Sequence, residues 1–311
     1  MSKLPEYAVR LALAFLNERY RKTFEPSAVD GAWTAHDPDA GDLSIVSVAL
    51  SEASDAYREK AARLEARLDD THPGSYLLWV PPGGELPEEE PDETEWIQRV
   101  TQTASKLASG RSAEVRLPRR MALAKVREEG GYASVTGGLG RYWTHISDKL
   151  NGSFYLDSRA LNRFTTNEDE RQQTYEHIAL LSQELSVGEV TEWELDDAWT
   201  LQRLARGPAA KGMTDGWAIG GAPEGFDPAD GGAIRRVLRK RLGEAKEAFA
   251  ALPRPWILVL GGAYDYMGGE NAGPSLRGFD PALVAALDGI VLVADGEVKP
   301  ILLSRSLSFV Q

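Results

Sequence analysis

The chain has 311 residues, 42% of them hydrophobic, no cysteine and a formal net charge of -12. That length supports one large domain or two ordinary ones, and the lack of cysteine excludes disulfides, thiolate metal sites and cysteine catalysis. The negative charge opposes indiscriminate nucleic-acid binding, and no apolar run is long enough to span a membrane.

The predicted elements begin with a helix over 4–24, with Pro5 in its first turn. From Tyr7 to Leu16 it is apolar almost all round, the pattern of a buried helix. A hairpin follows, with strands Ala32–His36 and Leu43–Ser51 around the turn Asp37–Asp42. A helix over 53–70 turns Ala53, Tyr57, Ala61, Leu64 and Leu68 inward, and Tyr76–Val80 reads as a short apolar strand. The stretch 81–95 is rich in proline, glycine and glutamate and reads as an acidic linker. A helix over 93–108 comes next, then mixed short strands and turns over 111–156 with aromatics at Tyr142, Trp143, Phe154 and Tyr155.

Thr165 and Glu168 form a capping-box pair before a helix that reaches Leu185. Asp196 or Asp197 is expected to cap a short helix holding Trp199, Leu201 and Leu204, and 207–232 reads as an irregular glycine-rich connection. Then comes a clear signal. Ile234, Val237, Leu238, Leu242, Ala245, Phe249 and Leu252 form one helical stripe, capped by Asp230 and ended by Pro253 and Pro255. Arg241 falls inside that stripe and needs a partner. The strand Trp256–Leu260 follows without alternation, as expected of a strand covered on both faces. Asp280-Pro281 starts a helix to Leu287, and a closing hairpin turns at Asp295-Gly296.

Complete catalytic signatures are missing. Gly220–Gly225 has no lysine, and Gly137–Gly140 lacks dinucleotide-fingerprint spacing. His36, His72, His145 and His177 form no metal-ligand pair. Asp37, Asp39 and Asp42 lack the glycine and glutamate positions of a calcium loop, so a solvated turn accounts for them better.

Three constellations remain. Glu52 shares strand parity with Val46, Val48 and Leu50, while Asp30 and Glu18 can reach that strand end and Lys60 lies two turns along the next helix. Carboxylates plus a lysine are the equipment for metal-assisted phosphodiester hydrolysis. A second set is basic and aromatic: Arg116, Arg119, Arg120, Lys125 and Arg127, with Tyr132, Tyr142 and Trp143. It is suited to tracking a backbone and stacking bases. A third places Arg241 with Trp199, Gln202 and Arg203, best explained by a buried ion pair.

The order helix, hairpin, helix, strand over 4–80, joined to 231–303, resembles the core of the PD-(D/E)xK nuclease superfamily. The family's Glu-x-Lys is missing here, since Ala53 and Ser54 follow Glu52. The resemblance implies Glu52 and Lys60 as catalytic residues, and Glu18, Asp30 and Glu52 as ligands of Mg²⁺; the alternative is no cofactor. It also implies an α/β fold, a mixed central sheet flanked by helices, with a nuclease-like core and a large central insertion. The core would comprise 1–80 and 207–311, with 81–95 as linker and 96–206 as insertion or second domain. The expected function is a nucleic-acid-associated, bacterial-type cytoplasmic protein with an incomplete phosphodiesterase site. The alternative is a non-catalytic interaction or scaffold protein that binds another protein.

Overall fold

The structure is a computed structural model that describes residues 3–29, 31–49, 54–221, 231–262 and 281–310. It is an α/β protein with two mixed six-stranded sheets. Two compact units divide it: Met1–Ala113 with Thr200–Gln311, and Glu114–Trp199. The second unit is narrower than the expected insertion, because the helix after the acidic segment belongs to the first.

In the first unit, one sheet has the order β1-β2-β3-β10-β11-β12. Its strands are β1 (Glu25–Val29), β2 (Ala32–Asp37), β3 (Gly41–Ala49), β10 (Trp256–Gly261), β11 (Gly289–Ala294) and β12 (Glu297–Leu303). β10 lies between β3 and β11 and is parallel to both. Ile257 and Val259 face one layer, while Leu258 and Leu260 face another, which is why the run does not alternate.

The first layer is α1 (Leu4–Tyr20), packed on that sheet and also on Leu77, Trp79 and Ala218 of two further strands. These strands are β4 (Ser75–Val80) and β9 (Gly216–Gly221), which pair in parallel. From Tyr7 to Leu13 every residue is buried between the two sheets, which is why that stretch is apolar on nearly every side. The opposite layer is α6 (Gly231–Phe249), whose Leu238, Leu242, Ala245 and Phe249 pack on Val46, Leu258 and Ile290. Arg241 has an acidic partner, its Nη1 lying 2.7 Å from Glu244 Oε2, but this is a partly exposed pair within α6 rather than the buried ion pair expected.

Several sequence expectations are corrected. The residues assigned to a short helix near Trp199 form the end of β8 (Val190–Arg203). Its last residues, Thr200–Arg203, pair with β4, and Ala198–Gln202 are buried on both faces, which hides the period of two. The stretch 207–232 contains β9, whose glycines masked its strand character. β1 was not expected. β5 (Ser112–Arg127) is one strand of sixteen residues rather than a set of short pieces. The helix after it that begins at Glu168 is capped by Asn167, which accepts from the Asp169 N–H at 3.0 Å, while Thr165 donates to Glu114 instead. β4 pairs with β9 and β8, and the strand parallel to β3 is β10. Asp230 and Asp280 lie outside the described residues.

The acidic stretch is not a free linker. On α2 (Asp55–Thr71), Lys60 contacts Glu88 at 2.8 Å, Arg63 contacts Glu93 at 2.8 Å, and Arg67 contacts Glu90 at 2.8 Å. Leu86 and Glu93 are buried. Residues 60, 63 and 67 share one helix face, so a basic stripe holds the acidic chain leading into α3 (Asp92–Lys106). The same helix closes the edge of β9. Asp69 accepts the Trp217 N–H at 2.8 Å and Glu65 accepts the Ile219 N–H at 2.7 Å. Four helical residues rise about 6 Å and two strand residues about 6.6 Å, so the two spacings match.

The hairpin turn also owes its shape to a carboxylate. Burial pushes the Asp37 carboxyl up, but N–H groups of Thr23, Ala40 and Asp39 and the Thr23 hydroxyl outweigh it and hold the pKa at about 2. Its oxygens are occupied by these donors.

Two outcomes test this fold. Leu258→Ala should destabilise the protein by about 2–5 kcal/mol in urea unfolding, the loss usual for a fully buried leucine. Burial raises the Glu65 carboxyl from 4.5 to about 7, partly offset by the Ile219 N–H. The folded chain therefore holds this proton more tightly than the unfolded chain. Its stabilising effect is complete below 4.5 and is lost as pH rises through about 7. Glu65→Gln should flatten the pH dependence of stability in that window.

Candidate functional site

The carboxylate set is placed as follows. Asp30 and Glu52 lie outside the described residues. Val29 is level with Ala32, and the β2–β3 register sets Trp33 opposite Ile45, so Val29 and Ala49 stand at the same end of the first sheet. Glu18 lies away from that sheet end. The end of β10 at Gly261, paired with Ala49, approaches Ala8 of α1. Glu18 is ten residues further along, about 15 Å towards the opposite end. There Asn17 bonds the backbone of Phe24 and Thr23 meets Asp37. Lys60 is bonded to Glu88. Among the described residues no group of three or more His, Cys, Asp or Glu side chains gathers as a metal site requires.

The basic set lies in the second unit, and most of it is engaged. Arg116 pairs with Glu114 at 2.7 Å and Glu170 at 2.8 Å. Arg119 lies 4.0 Å from buried Asp197, whose oxygens also accept from Asn162, Arg163 and the Trp199 indole. Arg120 is 3.5 Å from Glu192. Lys125 pairs with Glu128 at 2.7 Å and lies over the Phe154 ring. Arg127 is exposed and has no ion-pair partner among the described residues.

What sets Arg127 apart is a bulge. The strands of this unit run in the order β6-β7-β5-β8, with β6 (Tyr132–Gly137) and β7 (Ser153–Ser158) parallel and β7 and β5 antiparallel. The helices α4 (Trp143–Ser147) and α5 (Glu168–Glu184) cover one face through Ile146, Tyr175 and Ile178, packed on Leu123, Phe154 and Leu156. The register between β5 and β7 slips after Lys125, which pairs with Phe154, so that Arg127 pairs with Ser153. The extra residue turns Arg127 to the uncovered face.

That face can be read as a grid. Arg127, Ser153 and Tyr132 lie in one row across three strands, then Ala124, Tyr155 and Ser134, then Ala122, Asp157 and Thr136. Tyr132 is 58% exposed and Tyr155 38%. Their Cα atoms are about 8 Å apart by strand spacing and rise. Small residues flank Tyr155, and its hydroxyl lies 3.3 Å from Thr136 Oγ1, which orients the ring. Asp157 is bound by Arg159 at 2.5 Å, which holds its carboxyl below the usual range.

Tyr132 and Tyr155 were each visible in the sequence, but their shared face was not. Tyr142 and Trp143 do not join them: Tyr142 packs edge-on to Phe164, and Trp143 belongs to α4.

No family model, curated protein or solved structure matches this chain.

If the face acts as a stacking platform, Tyr132→Ala and Tyr155→Ala should leave the unfolding midpoint nearly unchanged, since both rings are partly in water. Either change moving stability by more than about 1 kcal/mol would mark the ring as structural.

Proposed function

We propose that this is a nucleic-acid-associated protein that binds single strands on the uncovered sheet face of its second unit. The observation carrying this reading is the grid of two exposed tyrosines beside an exposed arginine. Aromatic faces stack bases regardless of sequence, at about 1–3 kcal/mol per base, and an arginine alongside them meets the phosphate. Stacking rather than charge supplies the affinity, which suits an acidic chain. Binding is therefore weakly salt-dependent and tolerant of sequence.

The test is fluorescence anisotropy with labelled single-stranded DNA and RNA. Tyr132→Ala or Tyr155→Ala should each weaken binding by about tenfold, and Arg127→Ala should lower the salt slope by about 0.7. Equal affinity in wild type and the double tyrosine variant would reject this surface. Capture of a protein partner on the same face would favour the non-catalytic interaction reading.

A second reading, Mg²⁺-dependent phosphodiester hydrolysis, is favoured by the common sheet end of Val29 and Ala49, the residues next to Asp30 and leading to Glu52. Under it, Asp30 and Glu52 would hold the ion, and Glu52→Ala should abolish metal-dependent cleavage of DNA or RNA without altering single-strand affinity.

A further inference from the structure

The first unit contains an open pocket of about 440 Å³ lined by Arg10, Glu25, Arg206, Lys211, Met213 and Asp215, among others. Its size is that of a small-molecule site. It owes its chemistry to the one charge in the buried stretch of α1. Arg10 has a side chain only 3% exposed, in a helix whose neighbours from Tyr7 to Leu13 are all buried. Burial pushes its guanidinium below the ordinary arginine value, while Tyr7, Asp215 and Glu6 draw it back.

The protein offers this guanidinium only partial compensation. Nε and Nη2 both donate to one acceptor, the Ala205 carbonyl, at 3.1 and 2.6 Å. Nη1 lies 3.9 Å from Asp215 Oδ1, beyond hydrogen-bond distance. That Asp215 oxygen accepts from the Ser75 hydroxyl. Arg206 approaches closely enough to disfavour the charge on Arg10, and the Lys211 ammonium is paired with Glu25. Three cations and two carboxylates, Glu25 and Asp215, thus line one pocket, and the Nη1 of the buried arginine makes no hydrogen bond among the described residues. Lys211 already has its carboxylate, but Arg206 and Arg10 repel one another, and an anion placed between these two guanidinium groups relieves that repulsion.

We propose that this pocket binds a small molecule through an oxyanion, a phosphate or carboxylate, held between Arg10 and Arg206 with Lys211 at the rim. The guanidinium of Arg10 supplies the fixed, desolvated half of the contact, and Arg206 closes on it from the loop 204–215. That loop is already tied to α1 at both ends, by the Ala205 carbonyl and by Thr214, whose N–H and hydroxyl donate to Glu6. The site is independent of the sheet face in the second unit.

The experiment is thermal unfolding of the full chain in sodium phosphate, in sodium succinate and in sodium chloride, all at matched ionic strength. Phosphate or succinate should raise the midpoint beyond chloride in a saturable way, because a ligand that binds only the folded state stabilises it. The stronger of the two identifies the oxyanion. Arg206 and Lys211 are exposed, so Arg206→Glu and Lys211→Ala keep the fold, checked by circular dichroism. Arg206→Glu should weaken the apparent affinity by about tenfold or more, and Lys211→Ala by less. Arg10→Lys, if it folds, should lose the response entirely, because lysine cannot present the fork. The proposal is overturned if neither anion exceeds chloride, or if Arg206→Glu leaves the response intact.

Discussion

The burial of α1 between two sheets is the constraint on which the first unit depends. Tyr7, Val9, Leu13 and Leu16 are fully buried, and each such side chain contributes roughly 1.5–3 kcal/mol. Because the helix occupies one face of the β10 sheet, α6 must take the other, and β10 becomes an interior strand. Because it also supports β4 and β9, those strands need only one further cover, and α2 supplies it along the β9 edge. The same burial makes Arg10 costly and explains why the loop 204–215 is drawn against it.

Carboxylates carry much of the remaining order. Glu65 and Asp69 replace a missing neighbour strand by accepting alternate N–H groups of β9, which satisfies donors that would otherwise invite pairing with another chain. Asp37 gathers the hairpin turn and the start of β1 around one side chain. Asp197 does the same in the second unit for the loop at Asn162 and Arg163. The excess of acids is thus partly structural: several of them are acceptors for backbone donors and not surface charge.

The second unit uses its sheet differently. Two helices cover one face and leave the other to water, so the exposed side needs small or polar residues, which Ala122, Ala124, Ser134 and Thr136 provide. Against that background two tyrosines and a bulge-turned arginine are exceptions. Exceptions of this kind on an otherwise bland face are what a binding surface requires, and they carry the functional reading.

The sequence by itself determined the elements whose pattern is local. Trp256 to Leu260 announced a strand covered on both faces, the stripe from Ile234 to Leu252 announced α6, and Asp295-Gly296, with φ of 51° and 80°, announced its hairpin. What it could not supply was pairing between distant segments. Trp199 to Gln202 lose their alternation because both faces are buried, and β9 is hidden among glycines. The approach of Arg10 to Arg206 joins positions nearly two hundred residues apart. The alignment of Tyr132 with Ser153 and Arg127 depends on a crossover and a one-residue slip, and a slip of one residue reverses every side chain's face. Tertiary structure alone decided those relations, because they are fixed by register and layer packing rather than by the preference of any single segment.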